Sequence, residues 1–155
     1  MVWKPDVTVA ALIERDGRFL VVEERIGGRI VINQPAGHVE DGETLESAVR
    51  RETLEETAWH FTPQALLGLY LWRSSRGRST LRIAFVGAVD GFESERRLDP
   101  PVLRTHWLSR AELTERGAQL RTPLVLRCID DYLAGQRLSL GALVSMRSGT
   151  PGPIQ

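Results

Sequence analysis

Between Gly37 and Trp59 the chain reads "GHVEDGETLESAVRRETLEETAW", and this stretch constrains the fold more than any other. Asp41-Gly42 is a turn signal, Thr44 fits an N-cap, and Glu46 falls in the first turn, where the helix dipole favours a carboxylate. The pattern predicts a helix from about Thr44 to about Thr57. At about 100° per residue, Leu45, Ala48 and Val49 mark out one apolar face. Glu52, Glu55 and Glu56 continue along that same face, within an arc of about 100°. A face that ought to be buried therefore carries three carboxylates.

Charged helical faces are usually solvated, and Arg51 with Glu55 at i, i+4 would be an ordinary surface pair. The shared azimuth with Leu45, Ala48 and Val49 argues against that reading, because like charges so close repel unless something positive lies between them. A divalent cation resolves the conflict. Spacing of i, i+3 and i+4 gathers the three carboxylates along one helical turn, and oxygen-only ligands suit a hard ion such as Mg²⁺ or Mn²⁺. Magnesium commonly binds a few carboxylates together with substrate phosphates, so the segment points to metal-bridged phosphate chemistry.

The 155 residues suit one domain with a core that needs no disulfide or structural metal. Lys plus Arg and Asp plus Glu balance at 20 each, so no overall field would draw the protein to nucleic acid or to an anionic membrane. Cys128 is the only cysteine, which excludes an intrachain disulfide and a cysteine-based zinc site and suits a reducing cytosol. The first residues reach Lys4, Asp6 and Glu14 without the apolar run of a signal peptide or membrane span. The expectation is a cytoplasmic protein, monomeric rather than obligately oligomeric, acting on a small-molecule partner.

Around the predicted helix, "VTVAALIE" and "RFLVVEE" flank the turn signal "RDG" and read as a β-hairpin. "RIVINQPAG" is extended chain breaking at Pro35. "ALLGLYLW" and "STLRIAFVGAV" read as strands joined by the arginine-rich "RSSRGR", and "PVLRTHWLS" as one more. Ser109 with Glu112 forms a capping-box pattern opening a short helix. Thr122-Pro123 is a second start, for a helix carrying Leu124, Val125, Cys128, Ile129 and Tyr132 along one side and stopping at Gly135. The order implies an α+β fold, a mixed sheet with helices packed on it, in one domain over residues 1–145 with a flexible tail at 146–155.

The charged segment resembles the Nudix box. Gly37 opens it, Glu43 follows at the family's spacing, Arg51-Glu52 and Glu55-Glu56 match, and Trp59 takes the final apolar position. The box occupies residues 37–58 and departs from the pattern twice. Thr53 stands where an apolar residue is usual, and Ala58 where the family has a glycine suited to φ > 0. "TVAALIERDGRFLVVEE", "NQPAGHVE", "RTPLV" and "YLAGQR" extend the resemblance over most of the chain, towards the NudJ-type phosphatase branch. It implies the Nudix α/β/α sandwich and hydrolysis of nucleoside di- and triphosphates or thiamine-type pyrimidine diphosphates.

The resemblance also implies roles. Mg²⁺, with Mn²⁺ as a possible substitute, would be held by Glu52, Glu55, Glu56 and the Gly37 carbonyl. Glu52 is the first candidate for general base and Glu55 the second, with Arg51 orienting the cluster and Glu43 supporting it. For the rest of the substrate, Arg82 is the best placed of Arg73, Arg76, Arg78 and Arg82, because it lies inside a strand pattern. Trp72 is favoured over Trp3 and Tyr70 for stacking. His38, His60 and His106 form no ligand spacing, and Cys128 reads as a core thiol. The acids Glu93, Glu95 and Asp99 read as a solvated loop. Two other readings are a non-catalytic Nudix ligand-sensing module, which would often lose the box carboxylates, and an isomerase, which would need a cysteine near the site.

Overall fold

A computed structural model describes residues 1–146. The elements are β1 (Asp6–Leu12), β2 (Glu14–Arg15), β3 (Arg18–Ile26), β4 (Arg29–Asn33), β5 (Ala36–His38), α1 (Leu45–Thr57), β6 (His60–Arg73), β7 (Ser79–Asp90), β8 (Val102–Leu108), α2 (Arg110–Glu115) and α3 (Leu124–Leu133). Short 3₁₀ turns lie at Gly117–Gln119 and Leu140–Ala142. Of the expected tail only Met146 is described, and it is exposed. Residues 147–155 lie outside the described residues.

The strands divide into two sheets. One runs β5-β1-β7-β6, with β1 and β7 parallel and the other pairs antiparallel. The other is built on β3, which pairs with β2, β4 and β8, all antiparallel. The hairpin expected from "VTVAALIERDGRFLVVEE" is mostly split between them. Only Glu14 and Arg15 pair with β3 as strand, whereas Asp6–Leu12 pairs with β7 and β5. The reason is burial on both faces: Val9 to Ile13 are all at most 2 % exposed, which a two-stranded hairpin at the surface cannot supply.

Alternation along the strands feeds two cores. Val9, Ala11 and Ile13 pack with Leu20, Ile83 and Phe85 beneath Ala48 and Val49 of α1. Leu12, Phe19, Val21, Ala84 and Val86 pack on the opposite side against Leu113 of α2 and Cys128 and Ile129 of α3. Helices thus cover both sides of the strands, the expected α/β/α sandwich, and the buried Cys128 is a core thiol.

The caps follow the sequence closely. Thr44 is the N-cap of α1, its Oγ1 accepting from Ser47 N–H at 3.1 Å while Ser47 Oγ accepts from Thr44 N–H at 3.0 Å. Ser109 and Glu112 form the second capping box. At α3 the first helical residue is Leu124 rather than Pro123, and Thr122 Oγ1 still accepts from the Leu124 N–H at 3.2 Å.

The two departures within the box have local explanations. Thr53 is fully buried, and its hydroxyl donates to Val49 O at 2.8 Å, so no polar group is orphaned. Ala58 sits at φ 62°, ψ 13°, the left-handed C-cap for which glycine is the natural residue. Its N–H donates to Leu54 O at 2.9 Å. The 91–101 segment closes the helix end: Glu93 N–H donates to Ala58 O at 2.8 Å and Asp99 N–H to Glu55 O at 2.9 Å.

Ala58 is 2 % exposed, so Ala58→Gly would relieve about 1 kcal/mol of left-handed strain. It would also forfeit a buried methyl worth about 0.8 kcal/mol. The melting temperature should therefore stay within about 3 °C of wild type, whereas Ala58→Val, β-branched at positive φ, should lower it by more than about 5 °C. Scanning calorimetry of the two variants checks both.

Candidate active site

Each strand's inward row changes character at the same end of the molecule. On β7, Val86 and Ala84 belong to the core, whereas Arg82 and Thr80 line a cleft. On β1, Leu12 gives way to Thr8 and Asp6, and on β6, Tyr70 gives way to Trp72. The register sets Asp6, Thr80 and Trp72 side by side, with Thr8, Arg82 and Tyr70 as the next row. The result is a cleft of about 530 Å³.

Gly37, Glu52 and Glu56 form one wall of it. The Glu52 carboxylate lies so close to the Cα of Gly37 that a Cβ there would collide with it. Any residue larger than glycine at position 37 would have to push the Glu52 carboxylate aside. Glu56, 7 % exposed, accepts from the outward N–H of Ala36 at 2.9 Å.

Arg51 ties the cluster together. Its Nε and Nη2 fork onto Glu43 at 2.6 and 3.0 Å, Nη1 donates to Glu52 at 2.9 Å and to Glu55 at 3.1 Å, and Nη2 also donates to His38 O at 3.0 Å. Glu43 in turn accepts from Glu40 N–H at 2.9 Å. Glu55 stands at the edge of the helical face beside Arg51 and does not line the cleft, unlike Glu52 and Glu56. Among the described residues no three acidic, histidine or cysteine side chains close around one point.

Burial dominates the electrostatics. It raises the pKa of Glu52 in spite of Arg51, and it pushes Glu56 up to about 9, with Glu24 and Glu52 as further repulsive neighbours. Glu43 is lowered by its hydrogen bonds from Arg51. Five carboxylates line the cleft (Asp6, Glu24, Glu40, Glu52 and Glu56) against three guanidiniums (Arg78, Arg82 and Arg121).

Of the residues picked out in the sequence for the rest of the substrate, Arg82 and Trp72 line the cleft. So does Arg78, paired with Asp6 at 2.8 Å, whereas Arg73 and Arg76 do not. Tyr70 packs on the core and donates to Asp131 at 2.8 Å, and Trp3 is exposed. His60 pairs with Glu93 at 2.7 Å and His106 with Glu23 at 2.8 Å, outside the cleft. Cys128 does not line the cleft either.

Sequence reasoning missed several polar cleft residues, Glu24, Asn33 and Arg121 among them. Glu24 is 2 % exposed and pairs with Arg121 at 3.0 Å, while the Arg121 N–H donates to Ile32 O at 2.9 Å. The available signal was a carboxylate and an amide ending strands of otherwise apolar residues.

Comparison with known proteins adds the following. The NUDIX domain family model matches residues 3–128. The chain is 38 % identical over 138 residues to Phosphatase NudJ of Escherichia coli (strain K12), covering 89 % of this chain and 90 % of that one. The same values hold for Phosphatase NudJ of Shigella flexneri. Among solved structures, a NUDIX hydrolase from Nitrosomonas europaea superposes with a TM-score of 0.90 at 46 % identity, covering 95 % of this chain and all of that one. A MutT NUDIX hydrolase from Burkholderia pseudomallei, at 23 % identity and a TM-score of 0.69, covers 83 % of this chain and 98 % of its own and shares the fold.

Glu56 gives a pH signature. Its folded pKa of about 9 lies above the ordinary 4.5, so from about pH 4.5 upwards the unfolded chain ionises while the folded carboxyl stays protonated. In EDTA the protein should therefore lose stability as pH rises from about 5 to about 9, the sign set by the extra proton bound in the folded state. Glu56→Gln should flatten that slope; identical slopes in thermal melts of the two proteins would show that Glu56 is ionised when folded.

Proposed function

The chain belongs to the Nudix hydrolase family, and from that premise we propose that it is a Mg²⁺-dependent hydrolase of nucleoside di- and triphosphates or thiamine-type pyrimidine diphosphates, working as a monomeric single domain over residues 1–145 in the cytoplasm. The single observation that carries the metal dependence is the pairing of half-buried Glu52 with buried Glu56 on a cleft wall where acids outnumber arginines. Among the described residues no helix is long and apolar enough to cross a membrane, which accords with a small-molecule substrate met in water.

The donor chemistry suits a hard divalent ion: Glu52 and Glu56 on the cleft wall with the Gly37 carbonyl, and Glu55, which would have to turn in from the edge of the same helical face, with no sulfur or imidazole. When bound, such an ion supplies Lewis-acid neutralisation of the diphosphate and of charge developing on the leaving oxygen. Burial makes Glu52 a competent base, because a raised pKa brings a carboxylate closer to the operating pH. Glu52 takes the proton of the attacking water as the new P–O bond forms and the bridging P–O bond breaks; Glu55 is the second candidate. Arg51 holds both acids through charge-assisted hydrogen bonds, and Glu43 fixes Arg51 by the bidentate fork. Trp72 and Arg82 belong to the wall that receives the rest of the substrate, with Trp72 offering a ring face to a heterocycle.

A phosphate-release screen over nucleoside di- and triphosphates, thiamine diphosphate and its pyrimidine precursor diphosphate tests the reading. Activity should require Mg²⁺ or Mn²⁺ and vanish in EDTA; inactivity towards all of them with either metal would discard it. Glu52→Gln should lower kcat at least about 10²-fold, the lower end of general-base contributions. A near-normal kcat in that variant would remove Glu52 as the base. Gly37→Ala should lower kcat with little change in melting temperature, because the added methyl displaces the Glu52 carboxylate.

A further inference from the structure

The Arg82 guanidinium donates through Nη1 to Gln34 Oε1 at 2.9 Å and through Nη2 to Asn33 Oδ1 at 3.0 Å. A guanidinium carries donors only, so each amide must turn its oxygen towards Arg82 and its NH₂ group away. For Gln34 the NH₂ is used inside the protein, donating to Val125 O at 2.8 Å. For Asn33 it is not. Asn33 is 4 % exposed and lines the cleft, and among the described residues no acceptor is paired with its Nδ2. That nitrogen is also not sealed off from the cleft as Arg82 Nε is. Arg82 itself is 5 % exposed and shows the cleft little of its own surface.

A buried donor without a partner costs about 1–3 kcal/mol, so a fixed NH₂ facing a cleft is how a site favours ligands that bring an acceptor and rejects those that do not. Resting on the hydrolase reading above, we propose that Asn33 is the specificity-determining residue of this wall, donating from Nδ2 to a hydrogen-bond acceptor on the substrate, and that Arg82 is the positioning residue that fixes the amide's orientation. The acceptor is an oxygen or ring nitrogen, on either a non-transferred phosphate or the heterocycle attached to it. Gln34 completes the device: it holds the other guanidinium arm and anchors it to α3 through Val125.

Asn33→Asp tests the role without removing the acceptor that Arg82 needs, because the carboxylate keeps one oxygen towards the guanidinium and replaces the NH₂ with a second acceptor. With UDP as probe and Mg²⁺ present, KM should rise about tenfold or more while kcat stays within about threefold and the melting temperature does not fall. Asn33→Ala, which adds no charge, should raise KM in the same direction. Calorimetric Kd values for UDP give the same comparison without turnover. Inorganic pyrophosphate, measured as a competing ligand, separates the two sources of the acceptor. A parallel loss of its affinity in the charge-neutral Asn33→Ala assigns a phosphate oxygen, and an unchanged affinity assigns the heterocycle. Arg82→Lys should raise KM in the presence of Asn33 and add less than about twofold in the Asn33→Ala background. Full additivity in that cycle overturns the positioning role, and unchanged KM and Kd in both Asn33 variants overturn the proposal. Failure of the underlying reading is visible separately, as absence of phosphate release by the wild type from every nucleotide tried.

Discussion

The site depends on one guanidinium. Arg51 is the group to which Glu43, Glu52, Glu55 and the His38 carbonyl all turn, and it joins the helix to the segment leading into it. Its planar fork permits this: the two arms engage both oxygens of Glu43, and one nitrogen is left for the acids of α1. A lysine would offer one point charge and could not hold three carboxylates in fixed directions. The acids raise the pKa of Arg51 in return, with the Glu43 hydrogen bond the largest contribution, so Arg51 itself stays charged at any pH the protein meets.

That tie explains how the helix tolerates the acids on its inner face. Ala48 and Val49 anchor the helix to the core, and one turn later the same face reaches the cleft. Glu52 is compensated by Arg51, whereas buried Glu56 accepts from the Ala36 N–H and feels Arg121 only as its weakest favourable neighbour. Its raised pKa is the physical consequence. The protein therefore holds a carboxyl that is cheap to bury only while it is neutral.

Legibility in the sequence followed the range of the interactions. The Thr44 cap, the Ser109–Glu112 capping box and the acidic face were readable because each is decided within a few residues, and the left-handed Ala58 because the family resemblance puts a glycine there. The fate of "VTVAALIE" was not, because an apolar strand followed by "RDG" looks the same whether it pairs with the next strand or, as here, with one more than 70 residues away. Glu24 was hidden for a related reason. The register against β8 shifts between Glu23 and Glu24, and such a bulge re-aims a side chain off the strict alternation that sequence reasoning assumes. Arg82 was readable as an inward charge in a strand, but its partners Asn33 and Gln34 belong to a different sheet's end, and nothing local connects them.

The two walls of the cleft divide the work by the kind of element that builds them. Glu52 and Glu56 come from a helix pinned by caps and by Arg51, where a shift of one residue would rotate every ligand out of place by about 100°. The facing wall comes from strand ends, where Thr8, Thr80, Arg82 and Asn33 each occupy an inward position that the fold does not need to be apolar, because the core ends one row earlier. Substitution on the helix wall disturbs a coupled charge network. On the strand wall it changes which groups the cleft can pair with, while the core row behind it stays intact. The strand ends can therefore change composition without opening the core, whereas the helix face is tied through Arg51 to three carboxylates at once.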